Sequence, residues 1–227
     1  MMKTLPILSA TVLAALAFAT AQVTKEEQQL LTPDKVLAVL MEGNANFVAG
    51  KITDTDIIAG ITASADGQHP KAVILSCLDS RVPVELVFDR GIGDIFVGRV
   101  AGNIENEDQL GSMEFATKLA GAKLVLVLGH SGCGAVKGAI ADAKLGNLTA
   151  LLAKIRPAVK AVEGFKPDER NSANTEFVKK VTEQNVRQTV ADIRKDSPVL
   201  ADLERSGTIK IVGAIYDLES GKVTLLD

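Results

Sequence analysis

The strongest constraint in this sequence is a set of short runs that carry apolar side chains at every position. Ala72-Val73-Ile74-Leu75 is one, and Leu124-Val125-Leu126-Val127-Leu128, opened by Lys123, is another. Side chains of a strand alternate between its two faces, so a run that is apolar throughout must be covered on both sides. A parallel sheet packed between layers of helix does this. Asp94-Ile95-Phe96-Val97 is a weaker strand, 208–213 is a fourth, and 222–226 follows it across a turn at Glu219-Ser220-Gly221. A strand that leaves a hairpin runs antiparallel, here at a sheet edge.

The segments between these runs have helical periodicity, at about 107–120, 133–145, 148–162 and 174–195. The last places Phe177, Val181, Val186, Val190 and Ile193 on one stripe. Thr32-Pro33-Asp34 is a helix start, with Thr as cap and Pro at the first helical position. Residues 51–70, with Gly60, Gly67 and Pro70, read as loop. The pattern predicts an α/β fold, a mostly parallel central sheet flanked by helices. With no Trp, one Tyr and seven Phe, its core must be built from Val, Leu, Ile and Ala.

The first 21 residues read as a signal peptide. Met1-Met2-Lys3 is a positive start, 5–18 is an uncharged, mostly apolar run, and Ala19-Thr20-Ala21 is an A-x-A cleavage site. The run is shorter than the ~20 residues a spanning helix needs. The expectation is an exported protein, periplasmic or secreted, with a single domain over 22–227 and no membrane attachment after cleavage. A formal net charge of −3 without a run of Lys or Arg makes nucleic acid a poor partner.

Two clusters carry chemistry, and each follows a strand, where an open α/β sheet delivers its functional groups. Ser76-Cys77-Leu78-Asp79-Ser80-Arg81 follows the first strand; Gly129-His130-Ser131-Gly132-Cys133-Gly134 follows the third. The chain has two His and two Cys, and one His stands three residues from one Cys. Two thiolates and an imidazole suit a tetrahedral Zn²⁺, one per chain. Three protein ligands leave the fourth position to water, which is the catalytic pattern. Asp79 is able to close that position as a fourth ligand, or to be held off it by a bidentate pair with Arg81. The sequence holds the parts for both states.

Cys77-x-Asp79-x-Arg81 followed by His130-x-x-Cys133 resembles the signature of the beta-class carbonic anhydrases. The likeness extends through Pro70 to Val82, Gly93 to Asn103, Gly129 to Gly138 and the closing Val212 to Leu225. The resemblance implies four parallel strands plus an antiparallel edge strand, zinc on Cys77, His130 and Cys133, and Asp79 with Arg81 as a catalytic dyad. It implies the reversible hydration of carbon dioxide to bicarbonate and a proton, in a homodimer or a dimer of dimers. Leu78 stands where the family commonly has Ser, and Arg90-Gly91 where many members carry a Gln at the substrate entrance. With no Trp, the inhibitory bicarbonate pocket that uses one in some members is not expected.

Other readings are a carbon disulfide or carbonyl sulfide hydrolase of the same fold, a non-catalytic zinc protein, and a thiol redox protein. Arg81 argues against the second, and His130 with the lack of Cys-x-x-Cys against the third. A Cys77–Cys133 disulfide is the simple expectation for two cysteines in an exported chain. His130 and the Asp79–Arg81 pair beside them favour metal. His69 reads as a solvated loop residue.

Overall fold

A computed structural model describes residues 23–54 and 56–226. The expected signal peptide therefore lies outside the described residues. Two helices open the described residues, α1 (Lys25–Gln29) and α2 (Pro33–Val48), the second capped by Thr32 as its sequence predicts. A short helix, α3 (Ile57–Ser64), follows. The alternating part comprises β1 (Ala72–Ser76), α4 (Val84–Val87), β2 (Ile95–Arg99), α5 (Glu107–Glu114), β3 (Leu124–His130), α6 (Gly134–Ile140) and α7 (Gly146–Ala161). It ends with α8 (Thr175–Asp196), α9 (Pro198–Arg205), β4 (Lys210–Tyr216) and β5 (Val223–Leu226).

The sheet order is β2-β1-β3-β4-β5. The first four strands run parallel, and β5 pairs antiparallel with β4 at the edge. The expected α/β architecture is thus the observed one. β1 and β3 are buried at every position, which is why their sequences are apolar on both faces.

One face of the sheet packs Ala72, Ile74, Leu124, Leu126 and Leu128 against Val36 and Leu40 of α2 and Val84 and Val87 of α4. The other packs Val73, Leu75, Val125 and Val127 against Met113 of α5 and Val186, Val190 and Ile193 of α8. A third cluster, from α6, α7 and the first half of α8, takes in Cys77 and Cys133. Both cysteines thus belong to packed core.

The loop reading of 51–70 needs correction over α3. Asp56 caps that helix by accepting from the Ala59 amide at 2.9 Å. None of its residues is buried, so no apolar stripe marked it. The helix expected at 107–120 departs from α-geometry after Glu114 and closes as one π-helical turn at Phe115–Leu119. The stretch read as 133–145 stops at Ile140. The helices α4 and α9 were not foreseen.

Candidate metal centre

The three expected ligands converge where β1 and β3 end. Cys77 is the first residue past β1, His130 is the last of β3, and Cys133 caps the N-terminus of α6. Gly132, at φ 66°, supplies the left-handed turn that brings Cys133 back beside His130. The Sγ atoms of Cys77 and Cys133 stand 3.9 Å apart, both thiols are free, and one ligand atom from each of the three residues falls within 4.8 Å of the others.

These residues fit zinc. At a Zn–S distance of about 2.3 Å, two thiolates of a tetrahedral site stand about 3.8 Å apart. His130 is fully buried, and its Nδ1 lies 3.0 Å from the Ser131 carbonyl. A carbonyl only accepts, so Nδ1 carries the proton and Nε2 presents a bare lone pair. Nε2 is buried with no hydrogen-bond partner. Such a group is expensive to leave unsatisfied unless a cation takes it.

The thiols are prepared for the same cation. The Cys133 thiol donates toward Cys77 and, with the Gly102 N–H at 3.3 Å, outweighs burial and lowers the Cys77 thiol to about 4. The hydrogen bond to Cys77, and then burial, push Cys133 up.

Asp79 is held on Arg81. Arg81 Nε donates to Oδ1 at 2.9 Å, Nη2 to Oδ2 at 2.7 Å, and the Arg81 amide to Oδ1 at 3.0 Å. Those bonds keep the Asp79 carboxyl well below the usual carboxylate range. Asp79 Oδ2 still lies 3.8 Å from His130 Nε2, so the carboxylate borders the metal position while paired elsewhere. Of the two partners the sequence offered Asp79, the structure pairs it with Arg81. His69 lies half-buried before β1 and outside the ligand group.

Sequence reasoning missed the supports. Gly102, whose N–H meets the Cys77 sulfur, sits in a turn at Ala101–Asn103 just past β2, and its carbonyl accepts from Asn185 Nδ2 of α8 at 2.8 Å. The Ser131 hydroxyl accepts from the Leu218 amide at 2.9 Å and pins the residue after His130. No local pattern signals contacts across 83 or 87 residues.

The carbonic anhydrase family profile matches residues 72–223, more than half of the chain. The chain belongs to the carbonic anhydrase family. It is 37% identical over 192 residues to carbonic anhydrase 2 of Mycobacterium tuberculosis, covering 83% of this chain and 90% of that one. It is 35% identical to a carbonic anhydrase of Mycolicibacterium smegmatis, covering 82% and 89%. Among solved structures, the beta-carbonic anhydrase CcaA superposes with a TM-score of 0.65 at 26% identity, over 84% of this chain and 87% of that one. The beta-carbonic anhydrase CafA of Aspergillus fumigatus shares the fold, with a TM-score of 0.66 at 24% identity, covering 84% and 90%. The carbonic anhydrase fold seen here is that of the beta class, as the paired motifs imply, and beta-class enzymes use zinc.

Proposed function

We propose that this protein is a zinc-dependent beta-class carbonic anhydrase, interconverting carbon dioxide and water with bicarbonate and a proton. One observation carries the reading: three buried ligand atoms, one of them an unpartnered imidazole nitrogen, face a carboxylate that an arginine holds aside. Zinc held by Cys77, His130 and Cys133 supplies a Lewis acid that lowers the pKa of a water to about 7.

The chain's own residues do the rest. Asp79 accepts a hydrogen bond from the reacting water through Oδ2, the oxygen nearer His130, and aims a lone pair at the carbon of carbon dioxide. A carboxylate held so far below its usual range is a weak base, so Asp79 orients the proton and solvent buffer removes it. Arg81 keeps Asp79 ionised and away from the ligand position. The Ser131 carbonyl fixes the His130 tautomer, and the Gly102 N–H supports the Cys77 thiolate.

Two further parts belong to this reading. The enzyme works as a homodimer or a dimer of dimers. Support comes from β2, which ends the sheet with its positions half-exposed or exposed, and from exposed Leu78 beside the site and Phe115 and Leu119 on the turn after α5. It is exported, which rests on the order of Lys3, the apolar run and Ala19-Thr20-Ala21. No helix among the described residues is long and apolar enough to cross a membrane.

Stopped-flow assay of carbon dioxide hydration at pH 8.5, with zinc-loaded protein and with the same protein after chelation, tests the chemistry. Hydration above buffer that disappears with the metal is expected. No hydration by loaded protein overturns the assignment, and the carbon disulfide and carbonyl sulfide assays then come next. Light scattering reads the dimer, and N-terminal sequencing of exported material, expected to begin at Gln22, reads the cleavage.

A further inference from the structure

The loop that carries both Cys77 and Asp79 has left the sheet. Pairing of β1 with its two neighbours ends at Ser76, opposite Arg99 on one side and Leu128 on the other. The carbonyls of residues 77–79 therefore have no ladder partner, and unpaired backbone groups need one. Arg99, the last residue of β2, supplies it. Its Nε donates to the Cys77 carbonyl at 3.1 Å, and its Nη2 donates to the carbonyls of Leu78 at 3.4 Å and Asp79 at 2.5 Å.

We propose that Arg99 is a positioning residue for the carbonic anhydrase reaction: its guanidinium clamps three successive carbonyls and so holds Cys77 toward His130 and Cys133 while Asp79 stays with Arg81. The inference rests on the proposed zinc chemistry for its consequence. Arg99 touches no ligand atom and no reacting group, and acts through the backbone.

Three observations separate this clamp from an ordinary surface arginine. The acceptors are consecutive, and they span the whole stretch from metal ligand to dyad carboxylate. The segment that carries Arg99 holds the end of β1 through the Val100 N–H to the Ser76 carbonyl at 3.1 Å, and the loop itself once more through the Gly102 N–H to the Cys77 sulfur at 3.3 Å. The Asp79 carbonyl also accepts from the Val82 amide at 3.1 Å, so its position is fixed from two directions. Only a rigid fork of donors spans three carbonyls at once. A lysine, as a point donor on a flexible stem, reaches one. Charge-assisted hydrogen bonds to neutral carbonyls are among the stronger ones, and among the described residues only the Asp79 carbonyl has a second donor, the Val82 amide.

The test compares zinc-loaded wild type, Arg99→Met and Arg99→Lys by amide hydrogen exchange and by the rate of zinc release to a chelator. In Arg99→Met the amides of Arg81 and Gly102, which bond Asp79 and Cys77, are expected to exchange at least tenfold faster. Zinc release accelerates by a similar factor and kcat falls tenfold, while the amides of Val125 to Val127 in β3 exchange as in wild type. Arg99→Lys falls between the two, and decides the matter if Arg99→Met does not fold. Unchanged exchange at Arg81 and Gly102, or faster exchange in β3 as well, overturns the clamp. Wild-type protein that hydrates no carbon dioxide sinks the proposed function instead, and the exchange comparison still judges Arg99.

Discussion

Gly129 precedes the ligand His130 and lies against α8, so adding one methyl group there tests how tightly packing sets the metal site. A Cβ on Gly129 would stand 2.5 Å from Val186 Cγ2 and 3.0 Å from Ile215 Cδ1. Val186 is β-branched on a helix and keeps essentially one rotamer, so it does not turn away. The strand or the helix must recede by roughly 1 Å to reach ordinary contact. Overpacking of this kind costs about 1–3 kcal/mol. At about 2–4 °C per kcal/mol for a chain of this size, Tm should fall by about 2–12 °C. Gly213 on β4 is the control, because a Cβ there meets the same valine, at 2.7 Å from Cγ1, but sits opposite Val127 rather than beside a ligand. Both Gly129→Ala and Gly213→Ala should lose similar stability. Only Gly129→Ala displaces His130, and metal sites tolerate about 0.2 Å in their distances. Zinc affinity, measured by chelator competition, should fall about 10- to 100-fold in Gly129→Ala and less than threefold in Gly213→Ala. Val186→Ala opens the space and should return affinity to Gly129→Ala. Equal zinc affinity in both single variants, or no rescue, would refute the reasoning.

Asp79→Asn and Arg81→Ala should keep zinc and each lose at least tenfold in carbon dioxide hydration. Only Arg81→Ala, in a crystal structure, should show the Asp79 carboxylate on the metal; near-wild-type rates in both would make the pair merely structural. Lys71 and Asp94 form an ion pair at 2.5 Å with side chains 3% and 1% exposed. Lys71→Met should therefore cost about 3–5 kcal/mol by denaturant unfolding, and Lys71→Met with Asp94→Leu clearly less, whereas simple addition of the two single effects would contradict this. Burial raises the Asp89 carboxyl, but the Thr53 amide and the Asn46 and Thr53 side chains outweigh it, so its folded value lies below its unfolded one. Its contribution is then complete above the unfolded value near 4 and is lost as pH falls through the folded value, so the stability gap between wild type and Asp89→Asn should shrink in acid; a gap that widens there would contradict the sign.

How much of this was legible depends on how local each cause is. β1 and β3 were readable to within two residues because burial on both faces leaves few polar side chains in them, whereas β4, read as 208–213, runs three residues further. The ligands were readable for a related reason: Cys77 and His130 occupy the last or next positions of those strands, so fixing the strand fixes the side chain. The helix α3 was not readable, because Ile57, Ile58 and Ile61 are exposed and face no core that would impose a stripe. The state of Asp79 was not readable either, since Arg81 two residues away and a zinc ion on the neighbouring ligands compete for the same carboxylate until distances are known. Arg99, Gly102 and Asn185 escaped for a third reason: their partners lie 20 to 83 residues away, where no spacing rule reaches.

The same contacts explain why the metal centre belongs to the fold rather than to its surface. Cys77 and Cys133 sit in one apolar cluster with Val136, Leu152, Ile155 and Phe177, and His130 closes a strand that is buried throughout. In packing of that quality the partnerless imidazole nitrogen is costly unless something compensates it. A dication does so, by taking the Nε2 lone pair and by favouring the second thiolate that burial and its neighbour otherwise resist. Asp79 meets the opposite condition. It lies at the rim, 16% exposed, where an arginine and solvent already satisfy it. The contrast between the four candidate side chains is therefore one of burial: Cys77, His130 and Cys133 are shut away from solvent, whereas Asp79 lies at the rim with an arginine as its partner.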